Sequence, residues 1–141
     1  MFSSASPAPA RPQSIGNFYR QVAVHSAVSG DADSHRMITM LFEGFFEAVA
    51  EARGALKARE IERKGKAIGR AARIVEEGLR ASLNLTEGGK VARDLHQLYG
   101  YVGLRLTQAN LRNDESALQE CVALLQPIFD AWKGIRPAGG Q

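Results

Sequence analysis

Apolar residues recur at intervals of three and four residues along most of the chain, which predicts amphipathic helices. The repeat is strongest between residues 34 and 57, where two adjacent apolar rows cover a wider arc than an ordinary surface helix shows. Such a helix is either the central helix of a bundle or a helix that meets both its own core and a second apolar partner. One row holds Met37, Met40, Leu41, Phe45 and Ala48, and the other holds Ile38, Phe42, Phe46 and Val49.

Three further helical patterns follow the first one, and short polar breaks separate them. Short connections make consecutive helices antiparallel neighbours. No strand pattern is present, so the sequence predicts an all-α antiparallel four-helix bundle. The expected helices span about 34–57, 61–85, 91–112 and 115–134.

The ends and interiors of these helices carry local signals. Asp33 or Ser34 is expected to cap the first helix, and the pair Asn113-Asp114 should end the third helix and cap the fourth. Pro127 lies inside the fourth pattern and should kink that helix near residues 124–126. Gly65, Gly69 and Gly78 each weaken the second helix by up to about 1 kcal/mol relative to alanine, so that helix depends on packing.

The third helix also has more apolar surface than one partner requires. Its regular face holds Val91, Leu95, Leu98, Val102, Leu106 and Ala109. A second set lies off this face and consists of Tyr99, Tyr101, Leu104 and Leu111.

The two ends of the chain differ in composition from its centre. Residues 1–14 are rich in Pro, Ser and Ala and should form a disordered tail. Residues 15–28 have the pattern of a short amphipathic strap or short helix that depends on the body for its structure. We expect a single domain at 15–136 and a frayed C-terminus at 137–141.

The charge and cysteine content restrict the possible functions. The net charge is +3, and basic residues are concentrated between Arg53 and Arg73. A run of this kind is more often a solvated helix face than a nucleic-acid site, and no aromatic residue interrupts it to stack on bases. The single cysteine, Cys121, lies among apolar residues and is expected to be a core residue. No signal peptide or membrane span is indicated, so a cytosolic protein is expected.

Catalytic and metal-binding patterns are weak. The three histidines, at positions 25, 35 and 96, do not have the spacing with Glu or His that a metal site in a bundle needs. Glu43, Glu47 and Glu51 form one row on the first helix, and this row is expected to face solvent. The chain is therefore expected to be a binding protein that has no cofactor and is not an enzyme. Two alternatives remain, a nucleic-acid-binding protein and a metalloenzyme.

Five blocks of sequence between about Tyr19 and Trp132 are distinctive when they are taken in order and spacing. They are Tyr19-Arg20-Gln21-Val22 with Ser26-Ala27-Val28, His35-Arg36-Met37-Ile38-Thr39-Met40-Leu41-Phe42-Glu43-Gly44, Arg73-Ile74-Val75-Glu76-Glu77-Gly78-Leu79, Leu98-Tyr99-Gly100-Tyr101-Val102 with Arg105-Leu106-Thr107-Gln108-Ala109-Asn110-Leu111-Arg112-Asn113-Asp114, and Ala131-Trp132-Lys133. Together these blocks resemble the flagellar secretion chaperones of the FliS family.

The resemblance implies a cytosolic chaperone that binds the C-terminal segment of flagellin, prevents its premature polymerisation and delivers it to the flagellar type III export gate. The client would wrap around the bundle and displace the strap. Self-association through the same region would give a weak homodimer. The implied contact residues are Tyr19, Val24, Met37, Ile38, Leu41, Phe42, Phe45, Tyr99, Tyr101, Val102, Arg105, Leu106 and Asn110.

The chain departs from the pattern of this family at several positions. Ser34 replaces a proline, Met37 replaces a leucine, and Gly100 replaces an acidic residue between the two tyrosines of the third helix. Pro127 is not part of the pattern either. Ser34 can still cap a helix, so the fold should be retained, whereas Gly100 is expected to affect the surface that faces the client.

Overall fold

Four helices account for most of residues 32–135, which are the part of the chain that the computed structural model describes. No strand occurs in this range, and none of its helices is long and apolar enough to cross a membrane. The predicted tail, the strap at 15–28 and the C-terminal residues 137–141 lie outside the described residues. The helices are α1 (Ala32–Lys57), α2 (Ile61–Arg73, continued by a π-helical segment, Ile74–Arg80), α3 (Gly89–Arg112) and α4 (Glu115–Lys133).

Contacts between helix ends confirm the predicted antiparallel bundle. At the start of α1, the hydroxyl of Thr39 accepts a hydrogen bond of 3.1 Å from the indole of Trp132, near the end of α4. At the other end of the same pair of helices, Arg53 forms an ion pair of 2.9 Å with Glu115. Both α1 and α3 pack against α2 and against α4. Consequently, α1 and α3 lie at diagonal corners of the bundle, and their outer faces point away from each other.

The chain reverses direction between α1 and α2 at a residue in the left-handed conformation. Arg59 has a φ of 60°, and the amide of Glu60 donates a hydrogen bond of 2.9 Å to the carbonyl of Ala55. A bond over five residues beside a left-handed residue is the Schellman motif, which usually has glycine at the left-handed position. The left-handed residue and this hydrogen bond therefore end α1, although the connection contains neither Gly nor Pro.

The predicted connection between α3 and α4 is confirmed. Asn113 is left-handed, with a φ of 52°, and ends α3. Asp114 follows at once as the N-cap of α4, and its carboxylate accepts hydrogen bonds from the amides of Ser116 and Ala117. Asn tolerates the left-handed region and Asp is a favoured cap, so this pair of residues suffices to reverse the chain.

The bounds of α1 and α2 differ from those predicted. Because α1 begins at Ala32, Asp33 and Ser34 lie within its first turn and neither is its cap. The helical structure of α2 ends at Arg80, five residues before the predicted end at residue 85. After that point, Ser82 donates to the carbonyl of Leu79 and Asn84 accepts from the amide of Glu87. Polar side chains that bond nearby backbone groups compete with helix formation, which explains the early end.

The core contains apolar side chains from all four helices. Tyr99 is fully buried, although its position in the apolar pattern placed it off the buried face of α3. Cys121 is buried as predicted, and burial raises the pKa of its thiol to about 12. Helix α4 continues through Pro127, so the proline removes one backbone hydrogen bond without ending the helix. The predicted kink at this proline remains a prediction.

Candidate partner-binding surface

The thirteen contact residues implied by the resemblance fall into three groups in the structure. Two, Tyr19 and Val24, lie outside the described residues. Five are exposed or half-buried, and they are Met37, Leu41, Tyr101, Arg105 and Asn110. The other six are buried, and they are Ile38, Phe42, Phe45, Tyr99, Val102 and Leu106.

The buried group belongs to the bundle core. The ring of Phe42 stacks on that of Phe129 in α4, with centroids 5.1 Å apart, and both Phe42 and Phe45 have no exposed surface. Side chains that face the other three helices cannot reach a partner unless the core opens. In the conformation described, these six residues shape the helices that carry the surface and do not form the surface itself.

An apolar patch lies on the outer side of α1, near its start. Met37 and Met40 are 56% and 60% exposed. Leu41, beside them, is half-buried because it lies against Gly78 of the π-helical segment, where an added Cβ would be 2.8 Å from the Cδ2 atom of Leu41. Methionine side chains are flexible and polarisable, and such side chains occur often on surfaces that bind varied apolar partners.

A second apolar patch lies on α3 and consists of two leucines that are not in the implied contact set. Leu104 and Leu111 are 55% and 78% exposed, and they lie seven residues apart on one face of the helix. Their place off the buried face was visible in the sequence. Periodicity alone did not show that these two leucines would be exposed and that Tyr99 would be buried. A small rotation of α3 about its axis is enough to exchange which of these residues face the core.

Two glycines of α2, Gly65 and Gly69, have room for a side chain. An added Cβ on Gly65 would find Asn110 of α3 at 3.9 Å, and one on Gly69 would find Arg73 at 3.7 Å, with nothing closer in either case. Packing within residues 32–135 therefore does not require glycine at either position. Each glycine costs up to about 1 kcal/mol of helix stability, so the fold alone does not explain them.

A polar cluster lies between α3 and α4. The hydroxyl of Tyr101 donates to one oxygen of Glu120 at 2.7 Å, and Nε of Arg105 donates to the other oxygen at 2.7 Å. These bonds, with that from Tyr101 the larger cause, hold the pKa of Glu120 below its ordinary value. The same contact raises the pKa of the Tyr101 phenol. Arg105 also donates to the side chain of Gln108 at 2.6 Å, so it is held at two points.

Asn110 has a partner within the bundle. The amine of Lys64, a residue only 4% exposed, donates to the backbone carbonyl of Asn110 at 2.8 Å and to its side-chain oxygen at 2.7 Å. That carbonyl lies in the last turn of α3, where backbone acceptors lack partners within the helix and the helix dipole favours a cation. The contact therefore ties the start of α2 to the end of α3.

Gly100, one of the departures from the family pattern, faces α2. An added Cβ at this position would be 2.8 Å from the guanidinium of Arg80. Arg80 in turn donates to the backbone carbonyl of His96 at 3.1 Å and to Glu76 at 3.1 Å. The missing side chain at Gly100 leaves room for this arginine to lie across α3.

Three of the eight basic residues between Arg53 and Arg73 form ion pairs within residues 32–135, and one of these is the Arg53–Glu115 pair described above. Arg63 pairs with Glu51 and Glu60, and Arg70 pairs with Glu47 at 3.6 Å. The row of glutamates on α1 is exposed, as predicted, and supplies two of these partners. Within residues 32–135 no group of three or more His, Cys, Asp or Glu side chains is placed to hold a metal ion.

Comparisons with known proteins cover nearly the whole chain. A sequence model of a family described as "Flagellar protein FliS" matches residues 15–139. The flagellar secretion chaperone FliS of Salmonella typhimurium is 44% identical over 119 residues, which are 84% of this chain and 87% of that protein. FliSB of Pseudomonas aeruginosa is 44% identical over 117 residues, which are 83% of this chain and 91% of that protein. FliS of Escherichia coli is 41% identical over 115 residues, which are 82% and 84% of the two chains.

Proposed function

The chain belongs to the FliS family of flagellar proteins, and from this premise we propose that it is an export chaperone for flagellin. It would bind the C-terminal segment of newly made flagellin in the cytosol, prevent polymerisation and pass the client to the flagellar type III export apparatus. The names of the relatives, which are flagellar secretion chaperones, support the general role.

One observation carries the proposal that the client is an amphipathic segment. Large apolar side chains are exposed on the outer faces of both α1 and α3, at Met37, Met40, Leu104 and Leu111. A fully buried side chain of this size contributes about 1.5–3 kcal/mol relative to an exposed one, so a partner that covers all four gains substantial free energy.

The diagonal arrangement of α1 and α3 indicates the form of the client. A rigid globular partner cannot cover two faces that point away from each other. An elongated segment can do so by wrapping around the bundle, with a helix on each patch. Glycine at positions 65 and 69, which packing within residues 32–135 does not require, would let a client helix approach the backbone of α2 closely. Such a segment would fold as it binds, which costs several kcal/mol that the apolar contacts must offset.

The test is calorimetric titration of the full chain with the C-terminal segment of flagellin from the same cell. We expect binding with a negative heat-capacity change. Leu104→Ser and Leu111→Ser should each weaken binding about ten-fold or more, with stability changed by less than about 0.5 kcal/mol. Leu85→Ser, at an exposed leucine in the connection between α2 and α3, is the matched control and should bind as the unchanged protein does.

A second assay addresses chaperone activity directly. Flagellin polymerisation, followed by light scattering, should be suppressed by the unchanged protein and by Leu85→Ser but not by the double variant at Leu104 and Leu111. If the unchanged protein neither binds the segment nor delays polymerisation, the proposal fails. The weak homodimer and the contact with the export gate remain predictions, which sedimentation and pull-down with export-gate protein would test.

A further inference from the structure

Glu120 connects two side chains that belong to the implied contact set but is not itself a member of that set. Its two carboxylate oxygens accept from Tyr101 and from Arg105, each at 2.7 Å. Tyr101 and Arg105 are four residues apart on α3, whereas Glu120 lies on α4. One carboxylate therefore fixes the relative positions of an exposed phenol and a guanidinium.

Some N–H donors of the Arg105 guanidinium have no acceptor within residues 32–135. A guanidinium carries five N–H donors in a fixed plane and has no acceptor. Nε is used by Glu120 and Nη1 by Gln108, while Nη2 makes no hydrogen bond to any residue in the range 32–135. The side chain of Arg105 is 19% exposed. Its orientation is thus set on one edge, and the donors of Nη2 are left for an acceptor from outside this part of the chain.

The local charge indicates which acceptor fits. The positive charge of Arg105 is already balanced by Glu120 within hydrogen-bond distance. A carboxylate from a partner would be attracted to Arg105 but repelled by Glu120. A neutral oxygen, such as the carbonyl of a peptide bond or of an Asn or Gln side chain, has no such opposition and still gains a charge-assisted hydrogen bond.

We propose that Glu120 is a positioning residue, which holds Tyr101 and Arg105 so that Arg105 donates to a neutral carbonyl oxygen of the bound client segment. This proposal rests on the proposed function. Ordering a free arginine side chain on binding costs about 0.5–1.5 kcal/mol. In this protein the bonds to Glu120 and Gln108 order Arg105 before the client arrives, so the cost falls on folding instead of on binding.

The experiment is a double-mutant cycle measured by calorimetric titration with the flagellin C-terminal segment. Arg105→Ala should weaken binding about ten-fold, since it removes a charge-assisted bond. Glu120→Ala should weaken binding by a similar factor, because Arg105 is then free to move. The double variant should bind about as well as either single variant, because Glu120 acts through Arg105. Glu120→Gln has one acceptor oxygen for two donors and should give an intermediate affinity.

The results separate this inference from a purely structural role. If Glu120 only holds α3 and α4 together, Glu120→Ala will lower the urea midpoint of unfolding and leave the affinity unchanged, and the inference is wrong. Additive effects of the two alanine variants on affinity would also overturn it. If Glu120→Ala does not fold, Glu120→Gln replaces it in the double-mutant cycle, and additive effects on affinity would again contradict the inference.

Salt dependence identifies the acceptor. A neutral carbonyl predicts that the effect of Arg105→Ala on affinity is nearly the same at about 0.05 M and about 0.5 M salt. A strong decrease of that effect with salt would indicate a carboxylate and would contradict the neutral acceptor. Failure of the unchanged protein to bind the segment at all would count against the proposed function itself. Normal binding by the Glu120 variants would count against this inference only.

Discussion

Leu41 of α1 fills the space that a side chain at Gly78 of α2 would need. An added Cβ on Gly78 would lie 2.8 Å and 3.1 Å from the two terminal carbons of Leu41. A side chain at position 78 would therefore force Leu41 to shift at this contact between the π-helical segment and α1, whereas side chains at Gly65 and Gly69 would displace nothing.

This difference predicts opposite effects of alanine at two glycines of α2. Gly78→Ala should destabilise the protein by about 1 kcal/mol, because the cost of overpacking exceeds the gain in helix propensity. Gly69→Ala should stabilise it by up to about 1 kcal/mol, since the nearest atom to its added Cβ is 3.7 Å away. Urea denaturation measures both. If Gly69 serves client approach, Gly69→Ala should also weaken binding of the flagellin segment, and equal or tighter binding would contradict that role.

The lowered pKa of Glu120 predicts how the stability depends on pH. A carboxyl group whose pKa is lower in the folded than in the unfolded state stabilises the fold above its unfolded pKa. That contribution is lost as the pH falls below the ordinary value of 4.5 and through the lower folded value. Glu120→Gln should therefore be less stable than the unchanged protein at pH 7 and no less stable in acid. Urea midpoints across pH test this, with Glu43→Gln, at an exposed residue, as the control. A deficit that persists in acid would contradict the prediction.

Asp114 should be important for the stability of α4. Its carboxylate accepts from the amides of Ser116 and Ala117, and the accompanying bond from the hydroxyl of Ser116 is the main cause of its lowered pKa. Asp114→Ala should lower the urea midpoint, because the first turn of α4 loses its cap. Asp94→Ala, which removes only an exposed pair with Lys90, is the control and should have the smaller effect. Equal effects would show that the cap contributes no more than a surface charge.

Replacing Arg59 with glycine should stabilise the protein. Arg59 occupies the left-handed region, which costs a residue with a side chain about 1 kcal/mol and costs glycine nothing. Arg59→Gly is therefore expected to raise the free energy of unfolding by about 0.5–1 kcal/mol. Arg59→Ala retains the strained backbone and should give no comparable gain. If both variants gain equally, removal of a charge from the basic run, and not relief of strain, would be the cause.

Much of this fold could be predicted because its signals are local. The spacing of apolar residues marks the four helices, and the pair Asn113-Asp114 marks a connection through the conformations that these two residue types prefer. The connection between α1 and α2 at Arg59 has no comparable signal. It depends on hydrogen bonds that any residue type can make once the chain has turned.

The surface could be predicted only in part, because it depends on helix rotation and on contacts between helices. Both α1 and α3 have apolar arcs wider than one face, and the structure shows that Tyr99 points inward while Leu104 and Leu111 point outward. The bond between Tyr101 and Glu120 joins residues on different helices, so no pattern along the chain indicates it. The family resemblance implied contact residues on α1 and α3, and six of them are buried in the core.

The burial of Lys64 has a chemical consequence. Its amine is enclosed between the start of α2 and the end of α3, and both bonds that hold it go to Asn110. Reagents that acylate lysine act on the exposed, uncharged amine, so Lys90 and Lys133, which project into solvent, should react at once. Lys64 should react only when α2 separates from α3. The rate at which Lys64 becomes labelled would therefore report how often the bundle opens between α2 and α3. A slower rate in the presence of the client segment would mean that the client stabilises the closed bundle, and a faster rate would mean that the client separates these helices.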